Sequence, residues 1–254
     1  MKKRRQDDDL SILEHLEELR KRVFYSFIAI LVIFVVNWFF AKPLFNIIAK
    51  PIVKYLPPGS KLAFTSLTTP FMVYLKVAFL AALFFASPFV AYQAWKFISP
   101  ALYPHEKKYV VPFVLSSSFF FILGGLFGYF VVFPFTCRFF LQLGSDFQPI
   151  ITIDKYFNLA IEIILGIAIV FELPVVIFIL SKLGILTPKF MVKNLKYAIL
   201  IAFVVAGVIT PTPDAITQTI VAGPFILLYI IGIFVSWLAH RKKEEVDTGE
   251  GSQI

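Results

Sequence analysis

The chain has 254 residues, 59% of them hydrophobic, and a mean hydropathy of +0.82. Soluble domains are roughly 45 to 50% apolar, so this composition argues against a soluble fold. The net charge of +8 would suit nucleic acid, but Lys and Arg lie mostly beside apolar runs, where they act as topology signals, and we predict no nucleic-acid partner. Cys137 is the single cysteine, which excludes an internal disulfide and a cysteine-based metal cluster.

Six apolar segments are predicted to span a membrane: 23–41, 71–94, 110–135, 157–181, 195–209 and 216–239. The fifth reaches only roughly 22 Å, against a hydrocarbon core of roughly 30 Å. Because Gly223-Pro224 interrupts the sixth, we expect the last two helices to be short and to form a hairpin that thins the membrane. An equally weighted interpretation is that Pro and Gly are simply common in membrane helices.

The orientation follows from the positive charges. Most of the 24 Lys and Arg residues lie in the N-terminal tail, the loops after the second and fourth spans, and the C-terminal tail. The positive-inside rule therefore predicts that both termini are cytoplasmic. The fold class is an all-α integral membrane protein in one polytopic domain, 1–254, with a cytoplasmic amphipathic helix at 1–22, a six-span core at 23–239 and a cytoplasmic tail at 240–254.

Two amphipathic segments flank the first span. Residues 11–22 open with a capping-box pattern, Ser11 and Glu14, which predicts a helix on the cytoplasmic surface. Residues 43–55 precede a Pro-Pro-Gly turn at 57–59 and predict a short interfacial helix that caps the outer face. Two pairs in the first segment have the spacing of surface salt bridges: Glu17 with Lys21 and Glu18 with Arg22.

Glu172 is the polar residue that most strongly suggests a function, because it lies well inside the fourth span. A charged group near the bilayer centre costs at least about 2.5 to 3.5 kcal/mol, and such residues usually face a cavity or a partner. Pro174 removes a backbone donor nearby, which favours a kink. Glu162 lies nearer the outer end of the same span, where snorkelling lowers its cost.

The other polar residues have ordinary explanations when taken singly. Glu106 has the pattern of a solvated loop residue, and Asp214 can cap the last helix, beside Gln218. The three histidines have no partners at metal-ligand spacing, so we predict no metal site. Gly124, Gly125 and Gly128 predict a helix-packing face. No nucleophile with a paired base and no cofactor motif is present, so we predict neither an enzyme nor a cofactor.

Taken together, several stretches resemble the TatC family of twin-arginine protein export. These are HLEELRKR at 15–22, SP at 87–88, YQAWKFISPALYPHEKK at 92–108, FELP at 171–174, and TPTPD at 210–214 with Gln218. The resemblance covers residues 11–240. It implies a non-enzymatic receptor in the inner membrane with a concave, glove-like surface and several copies per complex. Such a receptor binds twin-arginine signal peptides at the cytoplasmic face. It organises single-span TatA/TatB-type partners for export of folded proteins, driven by the proton-motive force.

The resemblance also implies roles for individual residues. Glu18 and Glu106 help to bind the two signal-peptide arginines, and Glu172 is the intramembrane glutamate that faces the concave cavity. Carboxylates suit that task, because Arg makes bidentate, charge-assisted hydrogen bonds with them that Lys cannot reproduce. The remaining family positions are Arg20, Phe97 and Pro51 for peptide binding, and Asp214, Gln218 and either Thr210 or Thr212 for partner contact, since the turn is one residue longer than the family's usual one.

The main competing hypothesis is a proton-coupled solute transporter in which Glu172 carries the proton. It predicts stoichiometric solute uptake, which a receptor does not. The segments show no internal repeat of the kind common in such transporters.

Overall fold

The computed structural model describes residues 2–53, 62–98, 110–147, 150–210 and 215–250, with the backbone alone for 2–14, 53 and 239–250. The described residues form ten α-helices and one π-turn. They are α1 (Lys2–Trp38), α2 (Ala41–Val53), α3 (Thr69–Ile98), α4 (Val110–Phe127), the π-turn (Gly128–Val132), α5 (Phe133–Leu143), α6 (Ile153–Phe171), α7 (Leu173–Lys182), α8 (Pro188–Lys193), α9 (Leu195–Ile209) and α10 (Ala215–Glu250). The predicted all-α fold is confirmed for this part of the chain.

Four helical stretches of the described chain are long and apolar enough to cross a membrane: Thr69–Ile98, Val110–Leu143, Ile153–Lys182 and Ala215–Leu238. A fifth is obtained if α1 and α2, which meet at an 85° bend, count as one broken span. At 15 residues, α9 is shorter than these, as its sequence predicted. The protein is thus a multi-pass membrane protein, and the count of six spans remains a prediction.

The first helix differs from the prediction. A separate surface helix ahead of the first span is expected, but α1 runs unbroken from Lys2 to Trp38. The segment contains neither Pro nor Gly, so nothing in it stops a helix once formed. Ser11 lies inside α1 and does not begin it, so the predicted capping box is wrong.

The short helix α2 confirms the predicted amphipathic helix after the first span. It turns away from α1 at the 85° bend and packs against α6, where Phe45 stacks on Phe157 with ring centroids 4.5 Å apart. The Tyr156 hydroxyl donates a hydrogen bond to the carbonyl of Ile48 at 2.8 Å. We call this end of the helix bundle the cap end. The Pro-Pro-Gly turn that follows lies outside the described residues.

A π-turn separates α4 from α5. Pro134 follows it and has no N–H to offer the carbonyl four residues earlier. The helix widens there by one residue, and the Phe133 N–H bonds to the carbonyl of Gly128. A Cβ on Gly128 would lie 3.1 Å from the Ile164 Cα of α6. The predicted glycine packing face is therefore confirmed.

The core is centred on α6. Its Phe157, Ile163 and Ile167 side chains are fully buried, among residues of α2, α3, α5, α9 and α10. Because α6 is surrounded on most sides, its sequence is apolar almost throughout.

The last helix corrects the prediction of a short, interrupted sixth span. The helix α10 runs for 36 residues with Pro224 inside it, and its apolar part, Ala215–Leu238, has 24 residues. A proline costs a helix one hydrogen bond, but neighbouring helices hold the segment in place, which is why membrane helices tolerate it. The equally weighted interpretation, that Gly223-Pro224 is ordinary membrane-helix composition, fits α10.

Candidate functional site

The first candidate site lies where α1 passes the last turns of α3. Glu18 accepts a 2.9 Å salt bridge from Arg22, one helical turn later. Arg22 in turn donates to the side-chain oxygen of Gln93 at 3.4 Å. His15 stacks on Phe97, with ring centroids 4.4 Å apart. We call this end of the bundle the Glu18 end.

The pairing around Glu18 leaves capacity for a ligand. The Glu18 and Arg22 side chains are 31% and 21% exposed, and only one Glu18 carboxylate oxygen has a hydrogen-bond partner among the described residues. The Nε–H of Arg22 is buried and has no partner there. Of the two predicted surface pairs, Glu18–Arg22 is confirmed. Glu17 and Lys21 form no salt bridge in the described chain, so that pair is wrong.

The α3 side of this site rests on a buried aromatic support. Trp95 is 4% exposed and packs on Phe113 of α4, with ring centroids 4.8 Å apart. Val175 of α7 completes the cluster. Because three helices meet at Trp95, the last turn of α3, with Phe97 on it, has a fixed position.

Next to Glu18, α1 presents a mixed apolar and charged surface. It borders a cavity of about 770 Å³, lined among the described residues by Leu16, Glu17, Leu19, Arg20, Lys21, Val23, Phe24 and Phe27. Of these, Val23, Phe24 and Phe27 are each 59% exposed. Arg20 is only two positions after Glu18 in the chain, but it lines this cavity and not the Arg22–Gln93 contact. An extended ligand with charged and apolar parts could contact both.

Pro51 is not brought to this site. It lies on α2 at the cap end, whereas Glu18 is 20 residues, or roughly 30 Å of helix, before the end of α1. Of the predicted peptide-binding residues, the structure brings together Glu18, Phe97 and the Arg20 segment. Glu106 lies outside the described residues.

The second candidate site surrounds Glu172, which forms the break between α6 and α7. The sequence predicted a kink here, and the structure shows a one-residue break in the helix, where Pro174 has no N–H to donate to the carbonyl of Val170. The Ser117 hydroxyl of α4 lies 2.9 Å and 3.0 Å from the two Glu172 carboxylate oxygens. Ser117 itself is 8% exposed. The membrane-embedded carboxylate thus has a polar partner on a neighbouring helix, as the energetics of burial require.

An apolar cavity of about 280 Å³ adjoins the Glu172 break. It lies between α4, α7 and α10 and is lined by Phe113, Phe120, Pro174, Val175 and Val235, among others. Phe113 and Val175 also belong to the Trp95 cluster. The cavity therefore shares its wall with the support of the Glu18 site.

Two of the predicted partner-contact residues, Thr210 and Gln218, lie at the cap end, where α9 ends and α10 begins. Thr210 is 3% exposed, and its hydroxyl donates to the Ala206 carbonyl at 2.8 Å. Gln218 donates to the carbonyl of Phe203 at 2.7 Å, which ties α10 to α9. Both side chains thus have a structural use. Thr212 and Asp214 lie outside the described residues.

Sequence reasoning missed two residues of these sites. Gln93 contacts Arg22, and Ser117 contacts Glu172. Ser117 had a signal that could have been used, because Ser116, Ser117 and Ser118 are consecutive in an otherwise apolar segment. Gln93 is 6% exposed, and a buried polar residue near a helix end requires a partner.

Comparisons with known proteins agree with these features. Residues 14–224 match the family model described as Sec-independent protein translocase protein (TatC). The chain is 45% identical over 236 residues to the Sec-independent protein translocase protein TatC of Koribacter versatilis, covering 92% of this chain and 87% of that one. It is 40% identical to the Aquifex aeolicus protein of that name, with 93% and 99% coverage, and 37% identical to that of Escherichia coli, with 91% and 89% coverage.

The fold agrees as well. A crystal structure of the twin-arginine translocase receptor TatC superimposes with a TM-score of 0.79 at 39% sequence identity, covering 89% of this chain and 99% of that one. The relatives carry the name of a protein translocase, which is a transport role rather than a catalytic one. With a family match that spans both the Glu18 and the Glu172 sites, this chain belongs to the TatC family of Sec-independent protein translocase proteins.

Proposed function

We propose that this protein is the receptor and core scaffold of twin-arginine translocation and binds twin-arginine signal peptides at the Glu18 end. The observation that carries the proposal is the Glu18 carboxylate, which already binds the guanidinium of Arg22 at 2.9 Å and keeps one oxygen without a partner among the described residues. A guanidinium is therefore a ligand that this carboxylate accepts in its present position. Arg is preferred to Lys at such a site because its planar fork matches a carboxylate.

The second arginine requires a second carboxylate, for which we propose Glu106. This residue stands four positions before Val110, where α4 begins, and nine after Phe97 in the last turn of α3. Both anchoring helix ends lie at the Glu18 end, where Trp95 contacts Phe113. Two carboxylates joined to one rigid support would distinguish paired arginines from a single one.

The apolar surface of α1 suits the part of a signal peptide that follows the arginines. Val23, Phe24 and Phe27 are exposed beside Arg20 and Glu17. Burial of apolar side chains there adds affinity without sequence specificity. Phe97, stacked on His15, lies where the α1 and α3 surfaces meet.

We place the Glu18 end and both termini in the cytoplasm of an inner-membrane protein. The basic segments identified in the sequence support this orientation. The Glu18 end carries Arg20, Lys21, Arg22 and Lys96. A cytoplasmic position also suits a receptor, because signal peptides reach it from the cytoplasm. The concave, glove-like form and the six-span count are part of the same proposal.

We propose that α9 and the turn after it bind the single-span helices of TatA/TatB-type partners. The outer face of α9 is apolar and exposed, with Leu200 at 61% and Val208 at 81%. At roughly 22 Å, α9 is shorter than the hydrocarbon core of the bilayer, and association with another helix relieves this mismatch in length. Thr210 or Thr212, with Asp214 and Gln218, is the residue set proposed for that contact; Thr210 and Gln218 would act by holding the end of α9 against α10. Several copies would assemble in the receptor complex and use the proton-motive force for export of folded proteins.

We propose a role in transport for Glu172 beyond packing. The Glu172 carboxylate, bonded to Ser117 beside an apolar cavity, is a polar group at membrane depth. Such a group costs stability, and ionisable residues inside a membrane usually have a function. Glu172→Gln keeps the shape and the Ser117 contact but removes the charge. Normal export by this variant would contradict the role, whereas lost export from a folded protein supports it.

The test of the receptor function is peptide binding in nanodiscs. A fluorescent signal peptide with Arg-Arg is compared with one carrying Lys-Lys, on the unchanged protein and on Glu18→Ala, Glu106→Ala and Glu17→Ala. Loss of one charge-assisted pair is expected to weaken binding roughly tenfold or more. Glu17→Ala is the matched control, because Glu17 lines the cavity next to Glu18 but has no salt bridge among the described residues, so its loss should not change the preference for Arg-Arg over Lys-Lys.

Two results would refute this assignment. One is equal affinity for the Arg-Arg and Lys-Lys peptides. The other is an equal effect of Glu17→Ala and Glu18→Ala, which would make the response a general charge effect. Stoichiometric, proton-coupled solute uptake by the purified protein would then favour the transporter hypothesis.

A further inference from the structure

A polar cluster lies on the membrane-spanning parts of α3 and α6, away from the sites described above. The Lys76 ammonium of α3 donates a 2.7 Å hydrogen bond to the side-chain oxygen of Asn158 on α6. Glu162 follows one turn later on α6. Lys76 and Glu162 are both exposed on the outer face of the bundle. Within the described chain Glu162 has neither a hydrogen bond nor an ion pair, so a cation and a carboxylate stand side by side without forming a salt bridge.

The depth of this cluster follows from the helix lengths. The stretches Thr69–Ile98 and Ile153–Lys182 each have 30 residues, so each is roughly 45 Å long and exceeds the hydrocarbon core by roughly 7 Å at either end. Both begin at the cap end, where Ala63 pairs with Thr152 in a short parallel bridge. Lys76 lies about 10 Å from the start of α3, and Glu162 about 13 Å from the start of α6. Their side chains are thus a few ångströms below the headgroups, within snorkelling reach.

The surface between the two helices is amphiphilic. A groove of about 220 Å³ has Lys76, Asn158 and Glu162 toward the cap end, and Phe79, Leu83 and Leu165 continue it toward the membrane interior. Bilayer lipid is the neighbour of any such outward-facing groove. Its charged and apolar parts have the same order along the membrane normal as the headgroup and acyl chain of a phospholipid.

We propose that this groove is a binding site for a zwitterionic phospholipid with a primary amine headgroup. Lys76 binds the phosphate, Glu162 binds the ammonium, and an acyl chain lies along Phe79, Leu83 and Leu165. An anionic lipid would satisfy Lys76 but be repelled by Glu162. A choline headgroup has no N–H to donate to the carboxylate, so its contact is weaker. Charge complementarity therefore favours the amine headgroup over both.

The experiment is native mass spectrometry of the purified protein released from nanodiscs with equal parts of phosphatidylethanolamine, phosphatidylcholine and phosphatidylglycerol. We expect the ethanolamine lipid to be retained roughly fivefold more than the others, the scale of one ion contact at a partly exposed site. Glu162→Gln should abolish its advantage over phosphatidylglycerol. Lys76→Met should lower retention of all three lipids, and Lys76→Arg should restore it.

Matched controls exist on the same side of the membrane domain. Lys155→Met removes an exposed cation from the first turn of α6, and Asp146→Asn removes an exposed carboxylate from the preceding loop; neither should change the lipid ratio. Equal retention of the three lipids, or a ratio unchanged by Glu162→Gln, would overturn the proposal. It would also be overturned if Lys76→Met left lipid retention intact but released a co-purified single-span protein, since the groove would then bind a helix.

Discussion

The Ser117–Glu172 contact permits a quantitative test of what holds the membrane-embedded carboxylate. The Ser117 hydroxyl has one hydrogen and lies 2.9 Å and 3.0 Å from the two carboxylate oxygens, so it is shared between them. A hydrogen bond to a charged group contributes about 1.5 to 3 kcal/mol, and one between neutral groups about 0.5 to 1.5 kcal/mol. Replacing Ser117 with Ala leaves the half-buried Glu172 without this donor. We therefore expect the free energy of unfolding to decrease by about 0.5 to 3 kcal/mol, depending on whether the carboxyl group is neutral or charged.

The measurement is a double-mutant cycle of Ser117→Ala, Glu172→Ala and the double variant, with the free energy of unfolding obtained by titration with SDS. The coupling energy isolates the contact from the effect of each substitution alone. A value above about 1.5 kcal/mol identifies the carboxylate as ionised, and a smaller one as neutral. Ser116→Ala is the matched control, because its hydroxyl bonds only to carbonyls of its own helix. A coupling energy below about 0.3 kcal/mol would refute the reasoning.

Two further predictions concern the Glu18 end and the glycine face. Arg22→Met should strengthen signal-peptide binding up to about fivefold, because the Arg22 side chain then no longer competes with the peptide for Glu18 and such a surface pair contributes up to about 1 kcal/mol. A titration with the peptide checks this, and weaker binding would contradict it. Gly124→Ala should lower the free energy of unfolding by about 1 to 3 kcal/mol, because its Cβ would lie 2.7 Å from Phe171. Gly144→Ala, whose Cβ has more space, should be near neutral; equal losses would contradict the packing argument.

Those features that follow from local chemistry could be predicted from the sequence. Hydrophobic runs of fixed length predicted the long helices, and amphipathic periodicity predicted α2. Pro174 predicted the break at Glu172, since a missing N–H acts at a fixed distance along the chain. Glu18–Arg22 is likewise a local pair, one helical turn apart.

Other features depend on residues that are distant in sequence. Ser117 and Glu172 are 55 positions apart, and Arg22 and Gln93 are 71, so no periodicity connects them. Whether α1 breaks before the membrane cannot be read from 11–38, because a segment without Pro or Gly has no local signal for where a helix ends, and its long-range packing along α3 then decides. Pro224 is ambiguous for a similar reason, since the surrounding helices decide whether a proline bends a membrane helix.

The anchoring of α2 has a consequence for the order in which the protein is made. Two tyrosine hydroxyls hold its backbone: Tyr129 donates to Ile47 at 2.6 Å and Tyr156 donates to Ile48 at 2.8 Å. Tyr156 leaves the ribosome 108 residues after Ile48, which at 5 to 20 residues per second takes about 5 to 20 s. During that interval α2 can contact only the helices that precede α6 in the chain, so the cap end is completed late in synthesis. Protease treatment of ribosome-bound chains should therefore cleave α2 when they stop before Tyr156 and spare it when they extend past α6.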